Sequence, residues 1–282
     1  MYQARDYLLG ETAWCPGCGN FPIRQALAEA LAGLGLEPHQ VLICSGIGQA
    51  AKLPHYLRVN GFNGLHGRAL PVATGARIAN RELTVVVASG DGDSYGEGGN
   101  HFIHTIRRNV QLAHFVHNNQ VYGLTKGQAS PTSEVGMRTS VQTGGVISSP
   151  LNPLAMALVL GAGFVARGFA GEKNQLREIM KAAILFPGYA LVDILQPCPV
   201  FNKLNTYAWY RQRTYLVEGH DPTDWSAALA LSRQWGERIP LGIFYQVPRP
   251  SFEAQLPALQ GEPLALRAFD PTAVARVQDE FR

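Results

Sequence analysis

No stretch of this chain is apolar for long enough to suggest a membrane span. The longest candidate, Leu154 to Ala166, is broken by glycines and ends at Arg167, short of the roughly 18 residues a spanning helix needs. Charge of one sign is also scarce. Lys and Arg number 24 against 21 Asp and Glu, a formal net charge of +3, too little to argue for nucleic acid. No basic run or RNA-binding signature is present. Four cysteines among 282 residues do not make a secreted disulfide framework. The amino terminus has no basic, apolar and small-residue succession of the secretory kind, so a cytoplasmic location is the expectation. No internal repeat is evident. What is present, 46% hydrophobic and 16% charged residues, fits a well-packed globular protein.

Strand and helix patterns alternate through most of the chain. Phe21 to Leu34 has helical spacing after Asn20, a good N-cap, with Pro22 in the first turn. Val41 to Ser45 reads as a core strand, and Gly46-Ile47-Gly48 as the turn leaving it. A helix over Arg68 to Ala79, strand 84–89, a helix near Asn100 to Arg108 and strand 112–117 follow. From Val121 to Pro150 periodicity is lost, and loops of that length are usually functional or mobile. Helices at Pro153–Leu160 and Lys173–Leu185 then alternate with strands at Phe164–Arg167 and Ala190–Leu195. The alternation predicts parallel pairing with right-handed crossovers, a doubly wound α/β fold. Beyond Pro199 the pattern weakens: Asp224 to Gln234 is a candidate helix, and Pro240 to Pro263 reads as an extended tail.

Two strand ends carry chemistry. Gly90-Asp91-Gly92-Asp93 follows one apolar run and Asn118-Asn119 follows the next. A carboxylate and an amide then share the sheet edge where open α/β folds bind ligands. Mg²⁺ prefers six hard oxygens and is commonly held by one or two protein groups plus substrate phosphates. Asp91, the Asn119 amide oxygen and the Val121 carbonyl suit that role, and Gly90 and Gly92 leave room for a diphosphate. Alone, Gly-Asp-Gly is also a common turn. Cys15-Pro16-Gly17-Cys18 sets two thiolates on one tight loop, a spacing used by iron–sulfur clusters, zinc and redox pairs alike. Cys198, between two prolines, is a rigid third candidate. Cys44, inside a strand, reads as a buried thiol. His101, His104, His114 and His117 show no metal-ligand pattern.

Gly-Asp-Gly, a spacer of this length and Asn-Asn resemble the metal–diphosphate motif of thiamine-diphosphate enzymes. Further matching stretches are Trp14-Cys15-Pro16-Gly17-Cys18-Gly19-Asn20, Ser45-Gly46-Ile47-Gly48, His66-Gly67-Arg68-Ala69, Tyr122 to Thr132 and Gln196-Pro197-Cys198-Pro199. Together they resemble the β subunit of the 2-oxoacid:ferredoxin oxidoreductases, especially the 2-oxoglutarate type, from about Trp14 to Tyr210.

The resemblance implies a diphosphate-type domain over 1–199, with 200–282 an irregular extension packing on a partner subunit. It implies oxidative decarboxylation: 2-oxoacid, CoA and oxidised ferredoxin give acyl-CoA, CO₂ and reduced ferredoxin. Thiamine diphosphate, Mg²⁺ and a [4Fe–4S] cluster on Cys15, Cys18 and Cys198 are the implied cofactors. The family's fourth cluster ligand usually follows Gly-Ile-Gly directly. Here Gln49 stands there, leaving Gln49 or Cys44 as the fourth group, or no stable cluster. By the same likeness His66 lies near the diphosphate or the reacting carbon, and Ile47 props the bent coenzyme beside Gly48. Gly123, Leu124 and Thr125 line its pocket. Lys52 meets the far end of the substrate, Lys126 is a further cation in the long loop, and Asp93 orients phosphate-side groups. An α subunit with the pyrimidine-type domain is expected to supply the missing carboxylate, so the chain is expected to work only as αβ or (αβ)₂. Two alternatives stay open: a non-redox thiamine lyase or transferase subunit, and a zinc-stabilised nucleotide-binding module without catalysis.

Overall fold

The computed structural model describes residues 2–282. Runs of β-branched and apolar residues form a mostly parallel sheet whose central strands are buried on both faces, hence their near-continuous hydrophobicity. The strands are β1 (Val41–Ser45), β2 (Asn60–Asn63), β3 (Thr84–Gly90), β4 (Leu112–Asn118), β7 (Phe164–Phe169), β8 (Tyr189–Leu195), β9 (Thr214–Leu216) and β10 (Ile239–Gln246). Their order is β2-β1-β3-β4-β8-β7-β10-β9, with β10 antiparallel to β7 and every other pair parallel. A two-residue ladder, β5 (Val121–Tyr122) with β6 (Gln128–Ala129), sits in the long loop.

Alternate side chains feed two cores. Val86, Ala88, Val192 and Ile194 join one beneath α2 (Asn20–Gly33) and α6 (Lys173–Leu185), close to α1 (Ala4–Tyr7). Val85, Val87 and Leu191 join the other. It is covered by α3 (Ala69–Ala79), α4 (Gly99–Arg108), α5 (Pro153–Val159) and α8 (Trp225–Ser232). This is a doubly wound α/β fold, as the alternation predicts. Helix starts follow local chemistry: the Asn152 side chain accepts from the Ala155 N–H at 3.0 Å, with Pro153 in the first turn.

Two expectations change, and one strand was unforeseen. Asn20 is not a cap but the first residue of α2, buried, with its Oδ1 2.7 Å from His117 Nδ1. Gly19 takes the cap position. The tail read as extended from Pro240 is in part β10, inside the sheet. Pro240 is tolerated because pairing with β7 begins only at Gly242. β2, Asn-Gly-Phe-Asn, has no apolar alternation to betray it and is exposed throughout. The segment 200–282 further contains α7 (Tyr207–Arg213) and α9 (Pro271–Asp279).

The chain leaves β1 toward β2 on one side, while β3 leads to β4 on the other. The crevice above the carboxyl ends of β1, β3 and β4 is therefore where a ligand is expected.

Candidate functional site

Past the end of β3 the backbone enters a π-helical turn, Gly92–Glu97, before α4 begins. Such turns concentrate at functional sites. This one points two carboxylates into different jobs. Asp93, 3% exposed, makes three contacts to two segments through one oxygen. The partners are the Ile47 N–H after β1 at 3.1 Å, the Gly67 N–H at 2.7 Å and His66 Nδ1 at 2.6 Å. Its approach is so close that a Cβ on Gly46 would lie 2.2 Å from the carboxylate, so only glycine fits. His66 Nε2 in turn lies 3.4 Å from Glu97, and the ring meets Tyr122 edge-on.

Asp91 is 1% exposed. The Ser130 and Thr132 hydroxyls donate to its Oδ2, Thr132 at 2.6 Å. Burial pushes its carboxyl above the usual range, against the pull of those donors. Among the described residues no lysine or arginine pairs with it. A fully buried carboxylate held by hydroxyls and backbone N–H groups, with no cation beside it, is poised for one.

Facing it, β4 ends in a tight turn. Gln120 sits at φ +61°, an uncommon conformation for a side-chain-bearing residue, and the Asn119 Oδ1 accepts from the Val121 N–H at 3.0 Å. That leaves the second lone pair of the amide oxygen free. Neighbouring Asn118 works behind the site. Its side-chain NH₂ donates to both Asp193 oxygens at 3.2 Å, and its Oδ1 lies 2.9 Å from the Thr132 hydroxyl oxygen. Asp193 also accepts from Tyr95 at 2.9 Å, and burial pushes it up to about 6 despite the nearby Arg167.

One hollow of about 70 Å³ gathers Ile47, Gly48, Gln49, His66, Gly90, Asp91, Gly92, Asp93, Asn119, Val121, Gly123, Leu124 and Thr125. Every residue expected at the diphosphate lines it. Its volume is far below the roughly 300–1,000 Å³ of pockets that enclose a whole ligand. Lys52 lines an adjoining space of about 300 Å³ with Ile47, Gly48 and Leu124. Lys126 stands at φ +77° on the exposed loop and lines neither.

A second cavity shares Gln49, Asn119 and Gly123 with the first and holds Cys15, Cys18 and Cys198. Burial is the main reason the Cys18 thiol is pushed up to about 11, and Cys198 and Cys15 add to it. Gln196 Nε2 donates to the Cys18 sulfur at 3.3 Å. The Gln49 and Gln196 Oε1 atoms are buried without partners. Cys44 is corrected out of this set: it lies inside β1, packed in the core under α3 and α4. No three His, Cys, Asp or Glu side chains close on a single metal ion among the described residues.

Sequence reasoning missed Tyr122 and Glu97 as site residues. The Tyr122 hydroxyl donates to Glu97 at 3.0 Å, and its ring occupies the space of any Cβ on Gly92, 2.3 Å away. The signal was Gly92 itself, whose lack of a side chain has a partner. Ser130, Thr132 and Asp193 gave none, since hydroxyls in a Ser/Thr-rich loop carry no periodicity.

Residues 43–194 match the family described as thiamine pyrophosphate enzyme, C-terminal TPP binding domain. Residues 198–261 match the family of the C-terminal part of the pyruvate ferredoxin oxidoreductase beta subunit. The 2-oxoacid:ferredoxin oxidoreductase subunit beta of Saccharolobus solfataricus is 47% identical over 83% of this chain and 81% of its own length. The chain belongs to the 2-oxoacid:ferredoxin oxidoreductase β subunits. Another relative of this β subunit, the 2-oxoglutarate oxidoreductase subunit KorB of Mycobacterium tuberculosis, is 46% identical over 68% of the chain and 52% of its own length. A solved structure of the 2-oxoglutarate:ferredoxin oxidoreductase from Magnetococcus marinus, with 2-oxoglutarate, coenzyme A and succinyl-CoA bound, superposes with a TM-score of 0.91. It is 37% identical, covering 98% of this chain and 96% of that one. The protein is thus an oxidoreductase β subunit with a thiamine-diphosphate-binding domain. No described helix is long and apolar enough to cross a membrane.

Proposed function

We propose that this β subunit, joined to an α partner, catalyses the CoA-dependent oxidative decarboxylation of a 2-oxoacid of the 2-oxoglutarate kind, passing electrons to a ferredoxin. The carrying observation is that the oxygen-lined hollow and the three-cysteine cavity share one wall, Gln49, Asn119 and Gly123. Diphosphate chemistry and one-electron chemistry then lie side by side.

Asp91, the Asn119 amide oxygen and the Val121 carbonyl form the all-oxygen donor set that magnesium on a diphosphate requires. The dication would also offset the buried, unpaired charge of Asp91. Gly90 and Gly92 keep backbone open to the phosphates, and Gly123, Leu124 and Thr125 wall the pocket. Ile47 and Gly48, held through Asp93, fix the shelf on which the coenzyme bends. Asp93 sets His66 in one orientation, with Nε2 facing Glu97. Lys52, in the adjoining space, suits the distal carboxylate of a dicarboxylic substrate. Thiamine diphosphate, when bound, supplies the carbanion chemistry of decarboxylation.

Cys15, Cys18 and Cys198 suit a [4Fe–4S] cluster better than zinc. They border one cavity without closing on a single ion, and zinc sites need four ligands at about 2.0–2.3 Å. Gln49, with its buried unpartnered oxygen, is the fourth wall. These cysteines also weigh against a non-redox lyase. The hollow is too small to enclose a whole coenzyme, which fits a site completed by an α partner, with the part of 200–282 that follows α7 contributing to that contact. The proposed assembly is a cytoplasmic αβ or (αβ)₂ complex.

The test is anaerobic co-purification with the α partner, iron quantitation, and viologen reduction with CoA across several 2-oxoacids. Iron with fastest turnover on 2-oxoglutarate supports the reading; stoichiometric zinc without iron removes it.

A further inference from the structure

Around the three-cysteine cavity the surface has an uneven charge. From Thr12 to Ala28 and from Pro199 to Val217 there is no Asp or Glu, while Lys203, Arg211 and Arg213 fall in the second stretch. Pro199, Val200 and Phe201 line the cavity beside Cys198. Lys203 Nζ donates to the Pro199 carbonyl, tying that cation to the rim. On α7 the two arginines lie over aromatic rings four residues earlier, Arg211 on Tyr207 and Arg213 on Trp209, 5.9 and 4.6 Å from the centroids. Stacking fixes their heads near the surface instead of letting them search solvent. They contact carbonyls, the Gln212 amide and rings, and no carboxylate among the described residues. Three apolar side chains in the same two stretches, Phe21, Val200 and Leu204, are exposed, as is Cys15, and Val200 lines the cavity with it. Phe21 packs edge-on against Trp14, itself a wall of the cavity.

A small apolar centre by a redox site, together with fixed cations that lack an acidic partner, is the anatomy of a short-lived electron-transfer interface. We propose that Phe21, Val200 and Leu204, flanked by Lys203, Arg211 and Arg213, form the docking surface for a small acidic electron-carrier protein. This rests on the reading of Cys15, Cys18 and Cys198 as cluster ligands. Cys15, Cys18 and Cys198 would hold the cluster that supplies one-electron chemistry, and the carrier would be the oxidant of each single-electron transfer. Charge complementarity chooses the occupant. Complementary potentials raise encounter rates roughly 10–10³-fold and fade with salt.

The experiment uses the anaerobic complex of this chain with its α partner and an acidic bacterial-type ferredoxin as probe. Affinity is measured by interferometry at low and high ionic strength, alongside iron content and viologen reduction. The double variant Arg211→Glu with Arg213→Glu is expected to weaken binding at low salt about tenfold or more and to flatten its salt dependence. Iron and viologen reduction stay unchanged, and Arg211→Lys with Arg213→Lys keeps most of the affinity. Arg108→Glu, exposed at the opposite end of β4, carries the same charge change per site and leaves binding intact. Wild-type affinity in the double glutamate variant, or equal weakening by Arg108→Glu, overturns the proposal. Iron-free wild-type complex, seen before any carrier is added, overturns the cluster reading beneath it.

Discussion

Replacing Asp93 with alanine removes the one oxygen on which three groups from two segments converge: the Ile47 N–H at 3.1 Å, the Gly67 N–H at 2.7 Å and His66 Nδ1 at 2.6 Å. A hydrogen bond to a charged group contributes about 1.5–3 kcal/mol net. Three bonds to one atom do not add fully, and the vacated space admits water, so the expected loss is about 3–5 kcal/mol. Asp93→Asn keeps an amide oxygen for the two N–H groups but offers His66 no charge, and should lose about 1–3 kcal/mol. Urea denaturation of the chain purified with its partner measures these losses. Calorimetric titration with thiamine diphosphate and Mg²⁺ measures the second effect. Affinity should fall in the same order, because Ile47 and His66 lose their anchor. An alanine variant with an unchanged urea midpoint and unchanged coenzyme affinity would refute the assignment of Asp93 as the tie between these loops.

Asp91→Ala should abolish Mg²⁺-dependent coenzyme binding, at least a hundredfold in calorimetry, while the sheet stays folded by circular dichroism. Gly92→Ala sets a Cβ 2.3 Å from the Tyr122 ring and should cost about 1–3 kcal/mol by urea denaturation through overpacking. Asp193 keeps its proton up to about 6 in the fold against 3.8 in an open chain. Its stabilising effect is therefore complete at low pH and fades as pH rises through 6. The change is on the order of 3 kcal/mol, and Asp193→Asn should flatten the stability–pH curve between pH 4 and 7. Cys198→Ser should lose iron, whereas Cys44→Ser, a change within the core of β1, should keep it; iron assay and EPR distinguish the two.

Much of the site was legible because its chemistry is tied to strand ends. Asp91 and Asn119 follow apolar runs that can only be buried strands, and parallel pairing carries both to one edge. The cysteine loop was legible as a ligand site but not in its chemistry, since Cys15 and Cys18 have the same spacing for zinc or iron. The Asp91–Thr132–Asn118–Asp193 chain was hidden because it forms only when a loop from beyond β5 folds back over β3 and β4. β10 was hidden by Pro240 and Gly242, residues that argue against a central strand. The sheet accepts them because β9 pairs at Pro240 while β7 pairs from Gly242 onward.

That late strand has a consequence for how the polypeptide is made. β7 emerges from the ribosome some seventy residues before its antiparallel neighbour Ile239–Gln246. Throughout that interval the nascent sheet presents a bare border of amides and carbonyls open to mispairing. Cutting the gene between the codons for Leu195 and Ile239 would leave that border permanently uncovered, and such truncations should precipitate even though every residue of the coenzyme hollow is still encoded.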